Sequence, residues 1–360
     1  MANSEVRVGV IGTGGFANAV HMPGYRDHPR ARLVAVCDII RGRAEAAAKR
    51  FDVPFVTEDY NELLSRDDVD AVDIVTPNVV HVPIALAAIR AGKHVICEKP
   101  LAMSHGEAQE LINAAKETGA KTGVNFTYRG HPAARYAQYL VARGHIGRIF
   151  HVNAFYMQGW LVNPDAPIVW RLQKKITGTG VLGDLGSHVI DLASWITGAK
   201  ITSVVADMRT FTEERPMLEG GGTGKVDVDD ASTFLTRFDN GAMGTFVSSR
   251  NATARGNYQR IEVYGDEGAL VYSWDDKDFL EAAVGHFAKE YQMLKIPVPA
   301  RFTPRDGGTG FTENVSNFID AILDDKEMVP NFEHGLENQE VLDAVSMSAE
   351  DGTWVSIPFN

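Results

Sequence analysis

The feature that most constrains this chain lies near its start, where the apolar run Val6–Ile11 passes directly into Gly12-Thr13-Gly14-Gly15-Phe16-Ala17. A short β-branched run reads as a buried strand, and the glycines after it permit a tight turn into a helix. The first glycine allows the turn, and the second lets a pyrophosphate approach the backbone. Ala17, in the third position, lets the helix pack closely against a sheet. Amide donors at the positive end of that helix would bind phosphate. A second run, Leu33–Cys37, ends in Asp38, where a carboxylate would accept hydrogen bonds from adenosine ribose hydroxyls. A carboxylate about 4 Å from a 2'-phosphate would cost about 4 kcal/mol at an effective dielectric near 20, roughly three powers of ten in affinity. Asp38 therefore favours NAD over NADP, although Arg41 and Arg43 follow closely enough to offset part of that cost. The alternative for Asp38 is a surface aspartate or cap.

Further strand-like runs follow at Ala71–Val75, His94–Cys97 and Lys121–Asn125. Helical, mostly Ala-rich stretches (Arg43–Phe51, Val80–Ala91, Gly106–Thr118) alternate with them. Near-continuous apolar strands separated by helices imply an α/β doubly wound parallel sheet covered on both faces. The pattern changes after about residue 125, which sets a dinucleotide-binding domain at 1–125 and a second domain at 126–360. A helix over Pro132–Arg143 and a strand over Arg148–Gln158 open the second part, and another helix follows Gly186. Runs at Asp230–Phe238 and Ala242–Ser249 flank Asn240-Gly241, and runs at Gln259–Tyr264 and Ala269–Ser273 flank Asp266–Gly268, both suited to antiparallel hairpins. The second domain thus reads as α+β, a mostly antiparallel open sheet with helices on one face. Thr212–Asp229, rich in glycine and charge, is expected to be an exposed excursion.

A length of 360 residues suits two domains. With 35 basic against 47 acidic residues, the net charge of -12 repels phosphate backbones and anionic lipid. Nucleic acid and membrane surfaces are therefore excluded as expected partners, and a neutral small-molecule substrate fits better. Cys37 and Cys97 each close a buried strand and read as reduced, small hydrophobes rather than a disulfide pair. The opening MANSEVRVGVIG shows no secretory pattern, and no apolar run approaches the roughly 20 residues that span a bilayer, so a cytoplasmic location is expected.

Chemistry concentrates at two further places. Val95-Ile96-Cys97-Glu98-Lys99-Pro100 puts a lysine at the carboxyl edge of the parallel sheet, where ligands of such folds bind. An ammonium there can stabilise negative charge developing on a substrate oxygen, although a solvated loop lysine would look the same. Gly183-Asp184-Leu185-Gly186-Ser187-His188-Val189-Ile190-Asp191, if helical from Asp184, puts Asp184, His188 and Asp191 on one face. A histidine beside a carboxylate suits proton removal near neutral pH. The same residues could instead be a helix cap and a core histidine. No further His or Cys stands at ligand spacing, so no metal is expected.

These motifs together resemble the Gfo/Idh/MocA oxidoreductase family over nearly the whole chain. The resemblance rests on Gly12–Ala17, Thr76-Pro77-Asn78 with His81, Glu98-Lys99-Pro100, Tyr128-Arg129 with Pro132, Gly147-Arg148-Ile149, Trp170-Arg171, and Gly183-Asp184 through His188 and Asp191. It implies an N-terminal Rossmann domain and a C-terminal α+β domain whose open sheet forms a homo-oligomer, a dimer or tetramer. Lys99, Asp184 and His188 match the family's catalytic lysine, aspartate and histidine. Gly12, Gly14, Ala17, Asp38, Thr76, Asn78, His81, Glu98 and Lys99 match its cofactor-contacting positions. Thr13, Gly15, Phe16, Pro77 and Asn125, within or beside the same motifs, are expected in that site too. Gln158-Gly159-Trp160, the loop 163–167 and Trp170–Lys174 look most like the levoglucosan dehydrogenase branch, near the inositol dehydrogenases.

Tyr156, Gln158 and Trp160 alternate along one strand and share a face, which would line a sugar pocket or an oligomer interface. Tyr128, Arg129 and Arg171 are the other expected substrate contacts, alongside Lys99, Asp184 and His188. Arg171 could equally hold Asp184 or another carboxylate in a structural pair. The expectation is an NAD-dependent dehydrogenase acting on a secondary ring hydroxyl of a neutral sugar or cyclitol. His188 is the base, oriented by Asp184, and Lys99 binds the reacting oxygen. Two alternatives remain: an NAD-dependent glycosidase or lyase with transient oxidation, and a non-catalytic NAD-binding sensor.

Overall fold

In the computed structural model, which describes residues 5–358, the apolar runs of the first third form one sheet of six parallel strands. These are β1 (Val6–Ile11), β2 (Ala31–Cys37), β3 (Phe55–Thr57), β4 (Ala71–Ile74), β5 (His94–Cys97) and β6 (Thr122–Val124). Their order is β3-β2-β1-β4-β5-β6, so the winding direction reverses between β1 and β4. β1 and β5 have the expected bounds, whereas β2 begins two residues before Leu33. The strands are apolar on both sides because both faces are covered. One face packs Val72, Ile74, Val95 and Val124 against Ile84, Ala88, Leu111 and Phe332. The other packs Val8, Val10, Val36 and Ile96 against Met22, Ala44, Phe318 and Ile319. Cys37 and Cys97 are buried and unlinked at the ends of β2 and β5.

Phe318 and Ile319 belong to a helix, Glu313–Leu323, that the sequence pattern places in the second domain. The chain in fact divides into one unit holding residues up to Thr127 with Phe311–Glu337, and another holding Tyr128–Gly310 with the segment from Asn338 onward. The boundary expected at 125/126 lies close to the first crossing. The return of 311–337 is invisible to linear reading because its helix is ordinary in sequence. Only the uncovered apolar face of the sheet demands it. Gly24 marks that closure: a Cβ there would lie 2.3 Å from Val315 Cγ2.

The second unit is built on nine strands: β7 (Ile149–Met157), β8 (Ile201–Arg209), β11 (Ala231–Phe238), β12 (Met243–Ser249), β13 (Tyr258–Gly265), β14 (Gly268–Ser273), β15 (Phe279–Val284), β16 (Leu294–Pro297) and β17 (Val355–Ser356). Their order is β16-β15-β14-β13-β7-β12-β11-β8-β17, antiparallel except for the β7–β12 pair. In β11, Ser232, Phe234, Thr236 and Phe238 point inward and their neighbours outward, the alternation expected of a sheet with one covered face. Two short strands, β9 (Glu214–Pro216) and β10 (Thr223–Lys225), pair inside Thr212–Asp229. Contrary to expectation, that segment is not wholly exposed. Val226 and Val228 join Leu161, Ile168 and Leu172 in a small core, and Arg215 is fully buried beside them. Arg215 donates to the carbonyls of Leu161 and Asn163 at 2.8 and 2.9 Å, which ties this hairpin to the loop after β7. Among the described residues no helix is long and apolar enough to cross a membrane.

Candidate active site

In the N-terminal unit the glycine-rich turn has the form that the sequence implies. Gly12 has φ of +92°, and a Cβ there would fall 2.3 Å from the Val75 carbonyl oxygen, so no other residue fits. A Cβ on Gly14 or Gly15 would meet no protein atom within 4 Å. These two glycines therefore keep the outer side of the turn low enough for a diphosphate to reach the backbone. Ala17 is buried beneath them, and Phe16 stays partly exposed. Asp38 is more tightly wired than a simple ribose acceptor: Oδ2 accepts from the Thr13 amide at 2.9 Å and its hydroxyl at 3.1 Å. Oδ1 accepts from the Ile40 amide at 2.9 Å. Oδ2 is thereby filled, and Oδ1 keeps one further acceptor direction for a ribose hydroxyl. Arg41, the candidate 2'-phosphate partner, is engaged with Glu45 at 2.8 Å.

At the carboxyl ends of β4 and β5 the expected residues play divided roles. His81 is fully buried and sets its ring nitrogens 2.9 Å from the Thr76 and Pro100 carbonyls. Burial holds its pKa below the usual histidine value, and a neutral ring can donate to only one of the two carbonyls at a time. Thr76, Asn78 and Lys99 are half-buried beside it, and Pro77 is exposed. Asn125 is buried and donates to Glu98 Oε1 at 2.6 Å. Glu98 also meets His21, a residue outside every motif of the sequence, at 2.9 Å.

In the C-terminal unit, Asp184 sits in a π-helical turn, Leu182–Gly186, that runs straight into the helix Ser187–Thr197 bearing His188 and Asp191. The start of this segment is held from a distance. Asp229, fully buried, accepts from the Gly180 amide at 2.6 Å and the Leu182 amide at 2.8 Å. Burial pushes the Asp229 carboxyl up against these donors and Arg250, which favour its charged form. Gly180 makes the approach possible, since a Cβ there would fall 2.0 Å from the Asp229 carbonyl oxygen. Asp184 Oδ2 accepts from Arg250 Nη2 at 2.9 Å. Arg250, not Arg171, is thus its cation. Arg171 is exposed, with its guanidinium 4.3 Å from the Trp170 ring centroid.

His188 is packed edge-on against Tyr128, with ring centroids 4.7 Å apart, and tilted against Tyr156 at 6.0 Å. The two phenols share a 2.5 Å hydrogen bond. Tyr156 donates to Asn257 at 2.6 Å, and Gln158 donates to the same oxygen at 2.9 Å. Burial pushes both phenols up, so they stay neutral. Tyr128 and Tyr156 are buried and form the wall that carries His188, while Trp160 is exposed and Gln158 half-buried. Arg129 is buried against Asp191 at 2.6 Å, which neutralises both charges within one unit. Arg250, Asp229 and Asn257 escape sequence reading because each lies in an unremarkable stretch and is linked to the Asp184–His188 segment only through the fold.

A diphosphate cradle on a doubly wound sheet, with a lysine at the carboxyl edge of that sheet and an Asp/His pair on a supported helix, defines an NAD-binding oxidoreductase. Residues 6–126 match the oxidoreductase family with NAD-binding Rossmann fold, and residues 134–271 match the GFO/IDH/MocA C-terminal domain. Levoglucosan dehydrogenase of Pseudarthrobacter phenanthrenivorans is 34% identical over 98% of both chains. The scyllo-inositol 2-dehydrogenase (NAD(+)) of Bacillus subtilis is 34% identical over 74% of this chain and 73% of its own. A solved levoglucosan dehydrogenase in complex with NADH superposes with a TM-score of 0.90 at 34% identity, covering 99% of this chain and all of that one (100%). The chain belongs to the Gfo/Idh/MocA oxidoreductase family.

Proposed function

We propose that this protein oxidises a secondary ring hydroxyl of a neutral sugar or cyclitol, a pyranoside at C3 ahead of an inositol. The observation that carries the reading is the Asp184–His188 segment, held by Arg250 and Asp229 and backed by Tyr128 and Tyr156. A histidine so supported suits proton removal from a hydroxyl. His188 takes the hydroxyl proton, Asp184 orients it and favours its charged form, and Lys99 hydrogen-bonds the reacting oxygen. NAD, held by Gly12–Ala17, Asp38 and the Thr76–Asn78 and Glu98–Lys99 edges, supplies hydride acceptance when bound.

Substrate class follows from charge and surface. Of the candidate pocket cations, Arg129 is neutralised by Asp191, Arg171 lies over Trp170, and Lys99 is committed to the reacting oxygen. A phosphorylated or carboxylated substrate would lack a strong partner. Trp160 and Gln158 suit a ring with C–H faces and several hydroxyls. Relatives that act on levoglucosan and scyllo-inositol support the same class.

The test is an NADH-absorbance screen of levoglucosan, glucosides, free hexoses and inositols, with the ketone located by NMR. Oxidation at a secondary ring carbon is expected. Activity only on sugar phosphates, or only at an anomeric or primary carbon, refutes the substrate class. Substrate consumed without net NADH would instead mark transient oxidation followed by elimination.

A further inference from the structure

Beneath the carboxyl edge of the parallel sheet lies a charged cluster centred on His21, a residue with no role assigned so far. The residues after the glycine-rich turn form a π-helical turn, Ala17–His21, in which the Met22 amide bonds back to the Ala17 carbonyl. One extra residue in a turn rotates the succeeding residues by about 100° relative to a regular helix. His21, at the end of this turn, is fully buried. Its Nδ1 lies 2.7 Å from Asp73 Oδ2 and its Nε2 lies 2.9 Å from Glu98 Oε1. Both carboxylates can be served only when both ring nitrogens carry protons, as in the imidazolium. Asn125 Nδ2 stands 2.8 Å from His21 Nε2 and donates to the same Glu98 oxygen at 2.6 Å, while Oε2 accepts from the Lys99 amide at 3.2 Å. Phe16 closes the cluster edge-on, 5.4 Å from the His21 ring centroid.

The titratable neighbours sharpen the electrostatics. Burial opposes protonation of His21, but Asp73 and Glu98 outweigh it and push its pKa up to about 10. Glu98 is desolvated too, yet His21, Lys99 and Asn125 hold its carboxyl below the usual glutamate range. Burial raises the Tyr25 phenol beside Asp73 and the Cys97 thiol beside Glu98, so neither ionises near neutral pH. Two carboxylates and one imidazolium leave a single negative charge in a dry site. Glu98 follows the last residue of β5, in the half of a doubly wound sheet opposite the glycine-rich turn and Asp38. A dinucleotide with its adenosine half on the latter sets its nicotinamide half toward the former.

We propose that His21 is a positioning residue, an imidazolium that keeps Glu98 ionised and fixed in orientation so that one permanent carboxylate serves the nicotinamide half of the cofactor. The proposal rests on the reading of Glu98 and Lys99 as cofactor-facing. Removing the cation leaves Asp73 and Glu98 to share one proton, so the charge and direction of Glu98 become pH-dependent.

The experiment measures NAD affinity by fluorescence titration from about pH 5.5 to 9, with melting curves as a check on folding. The proteins are wild type, Glu98→Gln, His21→Gln and the double variant His21→Gln/Asp73→Asn. Wild type should show no ionisation from this cluster. His21→Gln should bind NAD about tenfold more weakly at neutral pH and gain an ionisation in that range. The double variant removes one carboxylate with the cation, so its affinity should return to within about threefold of wild type and its profile should be flat. Packing loss alone would not be repaired by Asp73→Asn. Weak Glu98→Gln binding with a wild-type His21→Gln profile overturns the role of His21 alone. Wild-type binding by Glu98→Gln overturns the placement of Glu98 and this proposal with it. If His21→Gln does not fold, the double variant decides: affinity near wild type supports the proposal, and affinity at the Glu98→Gln level overturns it.

Discussion

The two units support their functional groups in different ways. In the N-terminal unit the phosphate cradle is backbone: amides on a turn whose shape depends on Gly12 and on open space beside Gly14 and Gly15. In the C-terminal unit the proposed chemistry is carried by side chains, which must be aimed by other side chains. Asp184 depends on Arg250, 66 residues away, and the start of its segment depends on Asp229, 47 residues from Leu182. A backbone site is written contiguously because glycine acts on its own φ and ψ. A side-chain site disperses its support over whichever strands happen to pass.

The sharpest test of this contrast removes one catalytic group from each unit. Lys99→Met and His188→Ala should each lower kcat by about a hundredfold or more, the usual cost of a lost acid–base group. Only Lys99→Met, in the cofactor unit, should also shift NAD affinity. Full turnover by His188→Ala would remove it as the base. Next in size, Arg250→Met should lower kcat by roughly tenfold with NAD affinity unchanged, because Asp184 loses its cation and its aim. A variant that loses NAD binding instead would break the division between the units.

A smaller effect is expected at the cradle. Asp38→Ser should narrow the preference for NAD over NADP by about tenfold in kcat/KM, as the carboxylate facing a 2'-phosphate is lost. A wild-type enzyme that prefers NADP would show that Arg43 or Arg41 prevails. The smallest effect is in pH dependence, where the two units should respond in opposite senses. His21, raised to about 10, contributes stability that is complete below its unfolded value of 6.5 and is lost as pH rises toward 10. His131, pushed down to about 4 by burial, behaves oppositely: its contribution is present above 6.5 and lost as pH falls toward 4. Each slope is at most about 1.4 kcal/mol per pH unit. Denaturant midpoints against pH should flatten on the alkaline side in His21→Gln and on the acid side in His131→Gln. The reverse assignment would show that the two charge states have been exchanged.

Much of the fold is legible in sequence. β1, β5 and the helix after Gly186 follow from period and glycine placement, and the hairpin at Asn240-Gly241 follows from turn chemistry. The residues proposed as catalytic are legible as motifs, but their surroundings are not. Tyr128 and Tyr156 read as substrate contacts, and the structure adds that both are buried and packed against His188. Arg129 reads as a pocket cation and is sealed against Asp191. His81 and Asn125 read as cofactor contacts, and the structure adds that the ring nitrogens of the one face carbonyls and the amide nitrogen of the other donates to Glu98. Nothing in residue type separates an inward from an outward polar group when each is a plausible donor.

By itself the sequence determined what local stereochemistry controls: where strands and helices run, that residue 12 must be glycine, and that the turn there leaves room for a dinucleotide. Those outcomes depend on φ/ψ preferences and on apolar periods over a few residues, which any stretch of chain expresses alone. Only the tertiary structure decided which of 35 basic residues meets which of 47 acidic ones. Arg250 rather than Arg171 holds Asp184, and His21 rather than any motif residue bridges Asp73 and Glu98. Ion pairing is set by distances of a few ångströms between segments far apart in sequence, and those distances exist only once the sheets are in register.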